Sequence, residues 1–440
     1  MLKRKISKKL EEYFKSDTDK ILLIEGARQV GKSYIIRETA KEHFPNYIEL
    51  NFAEDAAGDC LFENVRSVKD FYFRISTIAG DRMQGREDTL VFLDEIQVYP
   101  EMLTLLKFLR QENRFRYIAS GSLLGVTLKR TTSIPIGSIE VVRMYPLDFE
   151  EFLYANGFHE EAIATLRESF LNMESLDDKM HSRILDLFHK YLLIGGMPEA
   201  VNDYVSFDNI VNVRNIQNDI HRFYEDDASK YEAEASRKLK IRRIYNMIPS
   251  NMENKKKRMV IQAIEDKKGK RSSDYEEEFE YLVSSGIALD VKAVPTPVFP
   301  LTQSMTRNLL KLYLNDVGML AGILFHNNIR AIMNDDAGVI LGSIYETAVA
   351  QELKAHGHEL FYYDNRSKGE VDFLIDDHEE LSVLPIEVKS GKDYAIHRAL
   401  TGFLKNEDYH VRYGIVLSNS KDVIIKDMVK YLPIYYVMFL

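Results

Sequence analysis

Along the first third of the chain, short unbroken apolar runs alternate with segments in which apolar residues return every three or four positions. The runs are Ile21 to Ile24, "NYIELNF", Leu90 to Leu93 in "TLVFLDEIQ", "FRYIASGS" and "SIEVVRMYPL". Runs of this length bounded by turn residues read as strands buried on both faces, and Tyr34 to His43 between the first two has helical composition. Five such strands separated by helical text predict a parallel sheet with helices on both faces, an α/β unit over residues 1–150. From "EEFLYANGF" to "NDIHRFYEDDASK" the period is helical throughout, with "GGMP" as its clearest break, which predicts a helical lid over 151–228. Basic helical text followed by "YEEEFEYLVSSGIALDVKAV" predicts a winged-helix-like region over 229–305. A helix and the strand pair "EVDFLI" and "VLPIEVKSG" then predict a second α/β domain over 306–440. This partition agrees with the size of the chain, since 440 residues at about 150 per domain make about three domains.

Composition narrows the class. Hydrophobic residues make up 45% and charged residues 29%, globular proportions, and no run of eighteen apolar residues is long enough to span a bilayer. The opening "MLKRKISKKLEEYFKSD" continues as an amphipathic charged helix and lacks the apolar core and cleavage site of a secretory signal, so a cytoplasmic protein is expected. The lone Cys60 excludes an internal disulfide framework and a multi-cysteine zinc site, and His356-x-His358 is the best ligand spacing among the histidines; neither is expected to carry chemistry. A net charge of -10 argues against a protein that coats nucleic acid over its whole surface. Within 230–271, however, Lys230, Arg237, Lys238, Lys240, Arg242, Arg243, Lys255, Lys256, Lys257, Arg258, Lys267, Lys268, Lys270 and Arg271 face only five acids. That local surplus of roughly nine positive charges is the footprint expected of a contact with a DNA backbone.

The stretch "GARQVGKS" lies between a predicted strand and a predicted helix. There Gly26 and Gly31 let the chain turn so that the N–H groups of Ala27, Arg28, Gln29 and Val30 converge on phosphate oxygens. Lys32 would reach the terminal phosphates of ATP, and the Ser33 hydroxyl would ligate Mg2+. At the end of the Leu90 to Leu93 strand, Asp94 is placed to hold the Mg2+ shell and Glu95 to polarise the attacking water. Ser120 ends the next strand, where a polar side chain would face the γ-phosphate or the water.

A second constellation lies near the C-terminus. Glu387 and Lys389 share one face of a strand, and Asp372 on the neighbouring strand completes a carboxylate pair able to hold Mg2+, with Lys389 placed to orient a water or stabilise charge on a phosphate. Glu346, on the preceding helix, is a further candidate ligand.

The combination GxRQxGKS, LDEIQ, SGS and PLDFEEFL resembles the bacterial and archaeal AAA-type P-loop ATPases related to the STAND-like NTPases. The resemblance implies that Glu95 is the hydrolytic base, that Gly196 and Pro198 of "YLLIGGMPEAV" help wall the nucleotide base, and that a winged-helix element follows the lid. It also implies a C-terminal fold similar to the PD-(D/E)xK nucleases, with Asp372, Glu387 and Lys389 in the signature positions. One departure is the pair Gly137-Ser138, where members of that group carry Gly-Arg, so Arg28, Arg130 and Arg143 all remain candidates for the charge-stabilising arginine. Two functions fit: an ATP-dependent enzyme acting on DNA, or an ATP-driven regulatory switch whose C-terminal fold recognises without cleaving. Oligomeric state is left open.

Overall fold

Each of the strands Ile21–Glu25 (β1), Asn46–Asn51 (β2), Thr89–Asp94 (β3), Arg116–Gly121 (β4) and Ile139–Arg143 (β5) pairs in parallel with its neighbours, in the order β2-β3-β4-β1-β5. The computed structural model describes residues 2–122, 137–230, 234–265, 269–333, 341–365, 368–391 and 397–440. The chain divides into two compact units, residues 3–145 with 284–286 and residues 146–283 with 287–440.

In the first unit every residue of β3 and β4 is buried, as expected where helices cover both faces of a parallel sheet. Those helices are Lys5–Lys15 (α1), Lys32–His43 (α2), Val68–Ala79 (α3) and Pro100–Glu112 (α4). The helical period decides what they bury: Phe71 and Ile75 of α3, and Leu103 and Leu106 of α4, join Leu23, Leu50 and Leu93 in one core. The basic α1 buries Leu10, Tyr13 and Phe14, and the Tyr13 hydroxyl donates to the Tyr117 carbonyl at 2.6 Å, which ties the helix to β4. Because all five strands run the same way, their C-terminal ends form one rim. That rim carries the β1–α2 loop, Asp94 and Ser120.

The second unit opens with helices Phe149–Ala155 (α5), Glu160–Leu171 (α6), Asp178–Ile194 (α7), Pro198–Phe207 (α8), Ile210–Lys230 (α9) and Ala235–Met252 (α10). Its sheet has eight strands: Ala288–Val294 (β6), Thr306–Leu314 (β7), Phe361–Asn365 (β8), Gly369–Asp377 (β9), Ser382–Lys389 (β10), Gly414–Ser418 (β11), Ile424–Lys426 (β12) and Val429–Pro433 (β13). The order is β12-β13-β11-β10-β9-β8-β6-β7, with parallel and antiparallel pairs mixed. Val317–Phe325 (α11) and Gly342–Ala355 (α12) complete the elements used below, and α12, which packs against β10, is buried from Ser343 to Leu353.

This sheet corrects the expected partition. The boundary at 305/306 falls inside it, because β6 and β7 are antiparallel neighbours and β6 also pairs in parallel with β8, Lys292 opposite Phe361. Strand β6, in the stretch expected to be winged-helix-like, is an inner strand of this sheet: Leu289, Val291 and Ala293 are buried, and the strand is hydrogen-bonded on both edges. Among the described residues no helix is long and apolar enough to cross a membrane.

Candidate functional site

The first unit assembles its site on the rim of the parallel sheet. Gly31 caps α2 with φ of 94°, a left-handed conformation that a side chain disfavours, and Gln29 in the same loop has φ of 64°. The Lys32 ammonium is buried and donates to the carbonyls of Gly26 at 3.0 Å and Ala27 at 2.8 Å, so it lies over its own loop. Next to it the Ser33 hydroxyl donates to Asp94 Oδ2 at 2.8 Å. Asp94 Oδ1 accepts from the Ser120 hydroxyl and, at 3.1 Å, from the Glu95 amide. Burial pushes the Asp94 carboxyl up; the Ser120 and Ser33 hydroxyls oppose that, and Glu95 adds to it. A hydroxyl from the first turn of α2 and a carboxylate from β3 in direct contact form the hard-oxygen donor set that suits Mg2+, so the residues present fit that ion.

Glu95 adopts a left-handed conformation with φ of 52° at the start of a short 3-10 turn, Ile96–Val98. Its Oε2 accepts from the Ser122 hydroxyl at 3.0 Å and from the Gln97 amide. Ser122 lies at the strand end where a polar side chain was expected to face the γ-phosphate or the water, whereas Gln97 was not singled out. The signal for Gln97 was its place two residues beyond Glu95 in "LDEIQ", where a tight turn brings the two side chains together.

The arginine candidates separate. Arg28 Nε donates to Ser122 at 3.3 Å, within the Glu95 network, whereas Arg143 is bound to Glu25 at 2.7 Å. Arg130 lies outside the described residues. The Gly137-Ser138 departure falls at the opposite rim, since the Ser138 carbonyl accepts from the Ile21 amide at the start of β1 while the loop follows its end. At about 3.3 Å per residue, one strand length separates the two positions.

In the second unit, "GGMP" is a junction. Helix α7 ends at Gly195, Pro198 starts α8, and the Gly196 amide donates to Asp316 Oδ2 at 2.6 Å while its carbonyl accepts from the Leu147 amide at 2.7 Å. A Cβ on Gly196 would stand 2.0 Å from the Leu147 carbonyl oxygen, closer than any packing tolerates. Three backbone segments therefore meet where only glycine fits.

Asp372, half-buried, and Glu387, buried, lie on adjacent strands, and Glu346 of α12, expected to be the least secure member, is buried as well. Asp372 Oδ2 accepts from the Val388 amide at 2.8 Å, and Lys389 donates to Glu387 Oε1 at 2.7 Å. Glu346 accepts from Lys257 and, at 3.1 Å, from the Tyr313 hydroxyl. Burial, then the neighbouring Glu387 and Glu346, push the Asp372 carboxyl far above the usual carboxylate range. Among the described residues no three His, Cys, Asp or Glu side chains stand close enough to hold a metal ion. Glu387 Oε2 is buried with no hydrogen-bond partner.

The basic segment is partly consumed by the fold. Arg237 pairs with Glu277 at 2.8 Å, Arg242 with Glu225 at 3.0 Å, Lys257 with the buried Glu346 and Arg258 with the half-buried Asp364, while Lys255 and Lys256 stay exposed. Lys267 and Lys268 lie outside the described residues.

Residues 18–153 match the AAA domain family, in agreement with the parallel sheet and the phosphate-loop geometry of the first unit. Residues 185–329 match a domain of unknown function, DUF8612, and residues 341–437 match another, DUF4143. An uncharacterized protein of Haemophilus influenzae is 26% identical over 193 residues, 42% of this chain and 41% of that protein, so the match spans about two fifths of that relative. An uncharacterized protein of Methanocaldococcus jannaschii is 22% identical over 371 residues, 81% of this chain and 72% of that protein. Among solved structures, the Walker-type ATPase of Pyrococcus abyssi is similar at 15% identity and a TM-score of 0.44, over 73% of this chain and 95% of that one.

Proposed function

We propose that this chain binds ATP with Mg2+ and hydrolyses it, and that nucleotide state governs how its second unit engages DNA. The observation that carries the first part is the 2.8 Å contact of Ser33 with Asp94, two residues 61 positions apart that meet beside a self-capped Lys32. In this reading Lys32 exchanges the Gly26 and Ala27 carbonyls for terminal phosphate oxygens. Ser33 and Asp94 would hold Mg2+, which supplies charge neutralisation at the phosphates. Glu95, held by Ser122 and Gln97, takes the proton of the attacking water, and Ser120 keeps Asp94 in place. Arg28 is the candidate best placed to stabilise charge, and Gly196 and Pro198 remain proposed walls for the nucleotide base.

DNA engagement rests on the exposed cations of the basic segment. Cleavage rests on a PD-(D/E)xK reading of the second sheet, in which Asp372, Glu387 and Glu346 would hold Mg2+ and Lys389 would orient the water. One observation favours the switch reading, in which this fold recognises without cleaving: lysines already face two of these carboxylates. ATP turnover and ATP calorimetry with Mg2+ test the first part on the intact chain and Lys32→Ala. The variant is expected to lose both binding heat and turnover, and an unchanged rate would refute the assignment. DNA binding and cleavage titrations with and without ATP, with Asp372→Ala as control, test the second. Intact DNA under conditions of ATP turnover would sink the nuclease reading.

A further inference from the structure

The turn after β3 brings a second polar side chain to the acid at its start. Gln97 lies in the middle of the turn Ile96–Val98 and is 4% exposed. Its amide nitrogen donates to Glu95 Oε2 and, at 3.4 Å, to the Ser122 hydroxyl oxygen. The other end of the same amide, Oε1, is buried and has no hydrogen-bond partner among the described residues. A side chain that served only to steady Glu95 would leave this oxygen as a pure loss, because a buried acceptor without a donor keeps its full desolvation cost. Glu95 itself is held at φ of 52°, a left-handed conformation that a side chain disfavours. Backbone strain of this kind persists where the surrounding structure imposes it, and it gathers at sites of function.

We propose that Gln97 holds the attacking water, its Oε1 accepting one hydrogen of that water while Glu95 accepts the other. This rests on the ATP-hydrolysis reading and adds a residue to it. The oxygen and nitrogen of an amide are roughly 2.2 Å apart, and the nitrogen is in contact with Glu95 Oε2, so Gln97 Oε1 lies at most about 5 Å from that carboxylate oxygen. A water donating at about 2.8 Å to each of two acceptors spans about 4.5 Å when both hydrogens point at them. An ionised carboxylate and an amide oxygen are both acceptors, so a water between them turns both hydrogens to the protein and its lone pairs away. Arg28 of the phosphate loop reaches Ser122 at 3.3 Å, which sets this group of side chains against the loop that would hold the γ-phosphate. In the reaction the water oxygen bonds to the γ-phosphorus as the bond to the β,γ-bridging oxygen breaks, and ADP leaves with that electron pair. One proton passes to Glu95, and the other hydrogen stays on the new phosphate against Gln97. One amide thus serves twice: its nitrogen steadies the base and its oxygen the nucleophile.

The test is single-turnover ATP hydrolysis by the intact chain, with ATP affinity from calorimetry, for Gln97→Met and for the same substitution added to Glu95→Ala. Methionine keeps the volume and removes both ends of the amide. Gln97→Met is expected to hydrolyse ATP about tenfold or more slowly at unchanged affinity. A residue that acts only through Glu95 has nothing to act on once Glu95 is gone. In the Glu95→Ala background the residual rate should therefore fall a further threefold or so when Gln97 is replaced. Equal residual rates with and without Gln97 would overturn the inference, and so would a Gln97→Met chain as fast as the unmodified one. Should the methionine variant fail to fold, Gln97→Lys keeps a donor for Glu95, lacks the acceptor, and is read by the same two outcomes. An unmodified chain that binds ATP without turnover refutes hydrolysis and this inference together, whereas turnover indifferent to Gln97 refutes this inference alone.

Discussion

The Ser122 hydroxyl donates a 3.0 Å hydrogen bond to Glu95 Oε2, and it receives one from Arg28 Nε at 3.3 Å. One small side chain at the end of β4 thus joins the phosphate loop to the acid after β3. Gln97 holds the same Glu95 oxygen, so the carboxylate is oriented from two sides. A general base needs this kind of orientation before its proton affinity matters.

Glu95→Gln keeps the shape and loses the base. ATP affinity measured by calorimetry is expected to stay within error of the unmodified chain, while steady-state turnover falls about 100-fold or more. Normal turnover would transfer the base role to another residue.

Ser122→Ala leaves Glu95 charged but removes one of its two anchors. Turnover is expected to fall about tenfold or more at unchanged ATP affinity, because misplacing a reacting group costs rate rather than binding. If affinity falls and turnover at saturation does not, Ser122 contacts the nucleotide and does not position Glu95.

How far the sequence reached follows from how local each signal is. Buried parallel strands are continuous apolar runs, and the phosphate loop works through the backbone of eight consecutive residues, so all five strands of the first sheet and Gly26 to Ser33 could be read directly. The second sheet was harder to delimit. Strand β6 interrupts its apolar residues with Asp290 and Lys292, which pair with each other at 3.2 Å, and that alternation looks like a solvated wing. Lys257 was counted as part of a DNA-contacting face, because nothing near it in sequence announces a partner 89 positions away. Long-range ion pairs leave no local period.

Gly196→Ala separates structure from ligand binding in the "GGMP" segment. Its new Cβ would meet the Leu147 carbonyl oxygen at 2.0 Å, and neither backbone can yield without breaking the 2.7 Å bond between Leu147 and Gly196. A loss of about 3 kcal/mol or more in urea unfolding is expected in the absence of nucleotide. A variant as stable as the unmodified chain but weaker for ATP would make this glycine a nucleotide contact first.

The exposed pair Lys255 and Lys256 carries the DNA reading in its simplest form. Each phosphate contact releases about one counterion, so Lys255→Glu with Lys256→Glu should lower DNA affinity and reduce the slope of log affinity against log salt by about 2. An unchanged slope in fluorescence titrations would remove this surface from any DNA contact.

Asp316 supplies a pH dependence whose sign can be worked out. Fully buried, it caps α11 through the Met319 amide at 3.1 Å and accepts from Gly196 at 2.6 Å, and burial outweighs these bonds to push its carboxyl from 3.8 up to about 6. The fold therefore prefers the protonated form. Its contribution to stability is complete below 3.8, shrinks as pH rises, and is gone above about 6; the whole span corresponds to about 3 kcal/mol. Asp316→Asn cannot titrate, so acidification from pH 7 to pH 5 should favour the unmodified chain over the variant by about 1 kcal/mol in urea midpoints, on top of whatever the lost acceptor costs at both. Other carboxylates titrate alike in both proteins and cancel in the difference. Parallel stability curves across that window would mean that the amides of Gly196 and Met319 hold Asp316 ionised, and that the charge at this junction is fully compensated by the backbone around it.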